Sequence, residues 1–190
     1  MLRQPKTYFT AEEYLFFERG SLEKHDYFQG EIFDLAGASR AHSRVLQNLL
    51  VQMVNGLQEK RSTCHVYNQD MRLNISENGL FTYPDLMAVC GEERFLPGSE
   101  LDTLLNPVFI AEVLSPSTET YDKNQKFEWY KKIPEFCEYL LLSTKEIRIE
   151  QFLKGQDGNW LLTEITAGDI QLVSLDLKIG LGKIYLGSGI

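Results

Sequence analysis

One long amphipathic helix, followed by a series of strand-like runs, limits the architectures open to this chain. Between residues 41 and 58 the apolar side chains recur at spacings of three and four, which predicts about five helical turns with one apolar face. Strand-like runs follow at 65–74, 80–89 and 107–114. Because the apolar face of the helix must be covered, this order predicts helices packed on a sheet.

Shorter elements complete the pattern. A helix is predicted from the Thr10 cap to Gly20, followed by a hairpin that turns at Gln29-Gly30. Another helix is predicted over 120–132, before Pro134. The other predicted features are a hairpin turn at Asn78-Gly79, a loop with a short helical piece at 91–106, strands at 138–142 and 147–153, and extra strands in the tail. We therefore expect a single α/β (α+β) domain over residues 1–190.

Charge and composition exclude several classes of protein. Lys and Arg number 19 against 27 Asp and Glu, for a formal net charge of -8, so any phosphate-binding surface must be local. No run approaches the ~18 apolar residues of a membrane span, and the first residues lack a leader pattern, so we expect a soluble, cytoplasmic protein without membrane contacts. Three widely spaced cysteines, Cys64, Cys90 and Cys137, argue against a disulfide framework and a zinc site and favour packing roles.

Two carboxylates that interrupt apolar strands are the first candidates for chemistry. Asp85 follows Pro84 in the run LFTYPDLMAV, and Glu112 lies in the run PVFIAEVLS. An acid in such a run is costly unless a cation or several donors face it. If the two acids share one face of neighbouring strands, a divalent ion would offset their repulsion. The alternative is that Asp85 is a turn residue and Glu112 an edge-strand charge.

The predicted helix at 120–132 carries a candidate lysine. Asp122, Lys126 and Tyr130 are spaced four residues apart, so their side chains share one helix face. The helix starts a few residues after the Glu112 strand, which brings Lys126 within reach of the carboxylates, where it could orient a water or neutralise developing charge. The alternative is an ordinary ion pair between Asp122 and Lys126 that supports the helix.

A local anion site is predicted where the long helix begins. His42 lies in its first turn between Arg40 and Arg44, where free backbone N–H groups add to the positive charge. The alternative is a solvated capping segment. Glu31 lies beside the hairpin turn, where an acid is more often a surface residue than a ligand.

Five runs in order resemble a known family: GEIFDLAGAS-x-x-H, YPDLMAV, IAEVLSPST, YDKNQKFEWY and EYLLL, within residues 8–155. They are similar to the Uma2 family of the PD-(D/E)XK nuclease superfamily. The resemblance implies a restriction-endonuclease-like fold, in which helices flank a mixed central sheet, with an N-terminal helix and hairpin and extra C-terminal strands added here. It also implies that Asp85 of the PD element and Glu112 of the second motif bind Mg²⁺ or Mn²⁺.

The resemblance also indicates the position of a catalytic lysine. The superfamily usually has a lysine two residues beyond the second acid, and this chain has Leu114 there. In Uma2-like sequences the lysine lies in the following helix, at a position that Lys126 matches. Glu31 and His42 match the recurring GE and His of the family, which implies accessory catalytic roles for them.

Two functions are compatible with these residues. The first is a metal-dependent endonuclease acting on DNA, in which Asp85 and Glu112 bind the ion and Lys126 assists the attacking water. Its expected substrate-binding residues are Arg40, Arg44, Lys123 and Tyr130, and analogy with other nucleases suggests a homodimer. The second is a metal-free binding or regulatory module that keeps the nuclease fold, with Leu114 marking the loss of catalysis.

Overall fold

The computed structural model describes residues 8–35, 37–77, 79–98, 102–115 and 119–190. Its helices are α1 (Ala11–Gly20), α2 (Arg40–Glu59), α3 (Glu119–Tyr121), α4 (Phe127–Tyr130) and α5 (Leu181–Ile184), and a π-helical turn, Asp122–Lys126, joins α3 to α4. Its strands are β1 (His25–Phe28), β2 (Glu31–Asp34), β3 (Cys64–Asn68), β4 (Arg72–Ile75), β5 (Leu80–Thr82), β6 (Leu86–Cys90), β7 (Thr103–Leu104), β8 (Phe109–Val113), β9 (Glu138–Leu142), β10 (Ile149–Lys154), β11 (Trp160–Ile165), β12 (Asp169–Leu172) and β13 (Leu177–Gly180).

The described strands form three sheets. The central sheet has six strands in the order β11-β10-β9-β8-β6-β3, and it is mixed because β8 and β9 run parallel while β6 and β8 run antiparallel. A second sheet has the order β2-β1-β5-β4-β7, and β12 pairs with β13 in a third. The predicted mixed sheet with flanking helices is therefore confirmed.

Two hydrophobic layers cover the central sheet. On one face, α2 buries Val45, Leu49 and Met53 in a cluster that also contains Phe109 and Ala111 of β8. A second cluster contains Ile110 of the same strand together with side chains of α4 and the five-stranded sheet. Because β8 lies between the two layers, all five of its residues are buried.

Local sequence explains the best-defined element boundaries. The Thr10 hydroxyl accepts from the Glu13 N–H while the Glu13 carboxylate accepts from the Thr10 N–H, which is the reciprocal cap that starts α1. Gln29 and Gly30 both have positive φ, at 48° and 97°, as the predicted two-residue hairpin turn requires. Ser39 caps α2 by accepting from the His42 N–H.

Two predicted strands are each divided in the structure. A turn in which the Asp70 N–H donates to Asn68 Oδ1 separates β3 from β4. Pro84 has no N–H to donate to a ladder, and it lies in the gap between β5 and β6. The chain therefore leaves the central sheet after β3 and returns to it just after Asp85.

Other predictions need correction. Residues 91–98 and 102–106 contain no helix; instead Phe95 forms a bridge with Leu104, and β7 pairs with β4. Asn78 of the predicted turn lies outside the described residues. Among the described residues, none of the helices has the length and apolar character needed to cross a membrane.

The argument against a disulfide is wrong for two of the three cysteines, although Cys64 and Cys90 also pack against the hydrophobic cluster that contains the α2 side chains. Cys64 and Cys90 form a disulfide, because they stand directly opposite each other in the β3–β6 pairing with their Cα atoms 4.0 Å apart. Cys137 is a free, partly buried cysteine. Spacing along the chain did not reveal the pair because the sheet register creates it.

Candidate functional site

Asp85 and Glu112 meet because β6 and β8 are neighbours in the central sheet. Leu86 lies opposite Ala111 in this antiparallel pair, so the residues next to them, Asp85 and Glu112, are also close. The Asp85 N–H donates to Glu112 Oε2 at 3.3 Å, and the Val113 N–H donates to Asp85 Oδ2 at 2.7 Å. Backbone donors therefore fix both carboxyl groups at one position on the sheet.

The Glu112 carboxyl group is almost completely buried and is held by two side chains. Its Oε1 accepts from Lys126 Nζ at 3.1 Å and from Tyr130 Oη at 2.7 Å, and the residue is only 3% exposed. Burial raises the pKa of Glu112, Lys126 lowers it, and Asp85 raises it further. The pKa of Glu112 therefore lies well above the usual range for a glutamate, and Lys126 is the partner that favours its charged form.

The segment from residue 119 to 130, here called the site helix, supplies these two partners. Sequence periodicity predicted a continuous α-helix over 120–132, whereas the structure contains a π-helical turn at Asp122–Lys126 and ends the helix at Tyr130. Such turns are rare and frequently occur at functional sites. Lys126 Nζ also lies 3.2 Å from Asp122 Oδ1, an ion pair without hydrogen-bond alignment.

Asp26 of β1 is a buried carboxylate that the sequence analysis missed. It is 5% exposed, and its Oδ1 has no hydrogen-bond partner among the described residues. Burial raises the pKa of Asp26, and the nearby Lys126 ammonium lowers it. The criterion that selected Asp85, an acid within an apolar strand, would have selected Asp26 in the run HDYF as well.

His42 lies on the other side of the acid pair. Its Nε2 is 3.1 Å from Asp85 Oδ1, and the side chain is 14% exposed. Burial lowers the pKa of His42, but its hydrogen bond to Asp85 and the charges of Asp85 and Glu112 outweigh burial and leave the pKa raised. The start of α2 therefore places an imidazole against Asp85, and this carboxylate favours the protonated form of the ring.

The remaining candidates lie apart from the acid pair. Arg40 and Arg44 are exposed on the first turns of α2, and Glu31 is exposed at the start of β2. Lys123 Nζ lies 2.7 Å from Glu150 Oε1 of β10 and 3.3 Å from Glu119 Oε1. The pair with Glu150 attaches the site helix to the central sheet, and the pair with Glu119 lies within the helix.

A cavity of about 740 Å³ opens onto the acids, and we call it the site cleft. Asp85, Glu112 and Lys126 are among its lining residues, and Tyr130 donates to Glu112 without lining the cleft. One side of the cleft comes from α2, and the opposite side comes from the α1–β1 connection and the β3–β4 turn. Glu31, Arg40, Arg44 and Lys123 are not among the lining residues.

The donor set suits a hard divalent cation. Asp85 and Glu112 offer carboxylate oxygens, and a carboxylate oxygen can accept from more than one partner. Within the described ranges, no group of three or more His, Cys, Asp or Glu residues is arranged to hold a metal ion. The chain would therefore supply two carboxylates, and water and substrate would supply the other ligands, as is common for Mg²⁺.

Comparisons with known proteins show the family and the fold of this chain. Residues 11–185 match the model of the Uma2 family, described as "Putative restriction endonuclease". Two proteins of Synechocystis sp. are similar over most of their length. The uncharacterized protein sll1609 is 39% identical over 170 residues, covering 90% of this chain and 94% of that protein. The uncharacterized protein slr1290 is 35% identical over 179 residues, covering 94% and 92%.

A solved structure shows the same fold. The crystal structure of a "putative nuclease belonging to DUF820" from Anabaena variabilis aligns with a TM-score of 0.71 at 14% identity, covering 93% of this chain and 97% of that one. The family model spans nearly the whole chain, and the two Synechocystis relatives exceed 30% identity. The chain therefore belongs to the Uma2 family.

Proposed function

We propose that this chain is a single nuclease-like domain that hydrolyses phosphodiester bonds in DNA with the help of Mg²⁺ or Mn²⁺. One observation carries the proposal: Asp85 and Glu112 lie side by side at the catalytic end of a cleft, with a buried lysine on Glu112. The family description and the nuclease-like fold support it.

In this proposal the two acids bind the ion. Backbone N–H groups hold Asp85 Oδ2 and Glu112 Oε2, so the remaining lone pairs of both carboxylates have fixed directions. A bound divalent ion supplies Lewis acidity, which lowers the pKa of a coordinated water and offsets charge on the phosphate. Tyr130 fixes the orientation of Glu112, and His42 fixes that of Asp85.

Lys126 positions the attacking water or stabilises the charge that develops on the phosphate. Lys126 Nζ donates to Glu112, forms an ion pair with Asp122, and belongs to a residue that lines the cleft. Because an ammonium group has three N–H donors, we assign one that is not engaged by Glu112 to a water or phosphate oxygen in the cleft. The buried acids keep the ammonium charged, because Glu112 and Asp122 raise its pKa although burial opposes them.

The other residues have accessory roles. Arg40 and Arg44 are exposed beside the cleft and contact flanking phosphates. Lys123 holds the site helix to β10 through Glu150, so its contribution to substrate binding is secondary. Glu31 remains a predicted accessory residue at the hairpin.

A metal-free binding module is the second candidate. The observation that favours it is that Lys126 and His42 already pair with Glu112 and Asp85, so both acids have partners without an ion. In that case the polar cluster serves to hold the nuclease fold together, and the cleft binds its ligand without cleaving it.

Calorimetric titration with Mg²⁺ and Mn²⁺ separates the two candidates. The wild-type chain should bind an ion, and Asp85→Asn and Glu112→Gln should each abolish binding while the fold is retained. Glu128→Gln, on the exposed side of the site helix, is the matched control and should bind normally. Metal binding retained in both site variants would exclude this metal site, and no binding by the wild type at millimolar metal would favour the binding module.

A cleavage assay tests the role of Lys126. Lys126→Ala should lower the cleavage rate by several orders of magnitude and leave metal affinity nearly unchanged, provided that circular dichroism shows a folded variant. Unchanged cleavage would remove Lys126 from the proposed mechanism. A homodimer and a cytoplasmic location remain predictions, and sedimentation analysis tests the first of them.

A further inference from the structure

We infer that the site cleft binds an unpaired DNA strand, with one phosphate at the acids and the adjoining bases against the sides of the cleft, in preference to a continuous duplex. This inference rests on the proposed function, because it names the substrate class of the same site. Three features of the cleft carry it: its depth, the chemistry of its sides and its charge.

The acids lie at the bottom of the cleft. The Glu112 and Lys126 side chains are 5% and 10% exposed, and Asp85 is 16% exposed. A phosphate contacts them only by entering the cleft, whose volume of about 740 Å³ is that of a pocket for a small molecule. In a duplex the partner strand would have to follow the phosphate, or the nucleotide would have to leave the base stack. An unpaired strand enters without that cost.

The sides of the cleft suit bases better than a row of phosphates. Leu46, Gln47 and Leu50 line it from α2, and Leu22 and Gln69 line it from the opposite side. Leu22 is fully exposed, and both glutamines are exposed. Apolar side chains pack against base faces, and amides pair with base edges. Both parts of a base are accessible in an unpaired strand and are occupied in a duplex.

The charge of the cleft does not match a duplex backbone. Among the described residues that line it, the only Lys or Arg residues are Lys24 and Lys126, and both are engaged in ion pairs, Lys24 with Asp70. The acids that line it outnumber these two cations; they are Glu23, Asp85, Glu112 and Asp122. Duplex-binding proteins commonly make about 6–10 phosphate contacts. Single-strand binding draws more of its free energy from base contacts.

Fluorescence anisotropy tests the inference without cleavage. The probes are a labelled single-stranded oligonucleotide and its blunt duplex, with Ca²⁺ replacing Mg²⁺ so that neither is cut. The single strand should bind about tenfold more tightly or better, which corresponds to stacking of about one base. Its affinity should depend weakly on salt, with a logarithmic slope of about -1 to -2 for two or three phosphate contacts. Equal or tighter duplex binding, or a slope near that of a duplex-binding protein, would overturn the inference.

A matched pair of variants locates the binding surface. Gln47→Ala removes an amide from the side of the cleft, and Gln58→Ala removes an exposed amide from the same helix outside the cleft. Single-strand affinity should fall severalfold for Gln47→Ala and stay unchanged for Gln58→Ala. Equal effects would mean that the strand does not enter the cleft.

Cleavage of the same two probes in Mg²⁺ separates this inference from the proposed function. Faster cleavage of the single strand supports both. Cleavage of the duplex alone overturns the strand preference and leaves the nuclease function standing. Preferential binding of the single strand without cleavage of either probe overturns the nuclease function and leaves the strand preference standing.

Discussion

Replacing Lys126 by methionine tests whether the buried cluster depends on its one lysine. Methionine keeps much of the length of the side chain and removes the ammonium. In the wild type Nζ lies 3.1 Å from Glu112 and 3.2 Å from Asp122, and both acid side chains are at most 5% exposed. Removing one partner of a buried ion pair costs about 3–5 kcal/mol of unfolding free energy. For a chain of this length the melting temperature should fall by about 6–20 °C.

The loss in Lys126→Met should depend on pH. Burial already raises the pKa of Glu112, and removing the lysine removes the charge that lowers it. Above the pKa that Glu112 has in the variant, the carboxylate is charged and has no compensating cation, so the full loss of unfolding free energy is present. As the pH falls through that pKa, Glu112 takes up a proton, and the difference in unfolding free energy between the variant and the wild type shrinks.

Urea unfolding monitored by circular dichroism at about pH 6 and about pH 9 measures both effects. Lys123→Met on the same helix is the control, because its ion pairs are more exposed and should contribute about 0–1 kcal/mol. Equal losses in the two variants, or a Lys126→Met loss that does not change with pH, would refute the reasoning.

Three further predictions concern the rest of the chain. Asp26→Asn should raise the melting temperature at neutral pH, because burial raises the pKa of Asp26 and the charged carboxylate is costly there. The gain should disappear as the pH falls through that pKa, and a lower melting temperature at every pH would contradict this. Glu138→Ala should lower the unfolding free energy by about 3 kcal/mol, because this fully buried carboxylate accepts from the Ser174 N–H and hydroxyl. Hydrogen exchange near Ser174 should become faster, and unchanged exchange would contradict the prediction. Reductant should lower the unfolding free energy of the wild type by about 3 kcal/mol, since the disulfide closes a loop with a sequence separation of 26. It should leave a Cys64→Ala/Cys90→Ala variant unchanged, and equal responses of the two proteins would argue against the disulfide.

The parts of the fold that follow from local chemistry could be predicted from the sequence. The apolar periodicity predicted α2 correctly because the same apolar residues of the helix are buried against the sheet. Asp85 and Glu112 were recognisable because an acidic residue within an apolar strand is costly unless it has a partner. Such a residue therefore stands out in the sequence. Lys126 was recognisable because helical spacing and a short connection limit where it can lie.

The parts that depend on pairing between distant segments could not be predicted in this way. In the sequence, Tyr83-Pro84 lies within one continuous strand-like run. In the structure, the chain passes there from β5 of the five-stranded sheet to β6 of the central sheet. Cys64 and Cys90 become neighbours through the β3–β6 register. The π-helical turn at Asp122–Lys126 contains no glycine or proline, and nothing in the sequence explains its position.

The candidate site lies where the chain passes from the five-stranded sheet to the central sheet, at Asp85. Asp85 stands at the crossing, Glu112 belongs to the central sheet, and Asp26 belongs to the five-stranded sheet. We therefore expect a rotation of one sheet against the other to change the spacing of these acids. Substitutions that loosen either sheet far from the cleft should then alter how the acids are aligned.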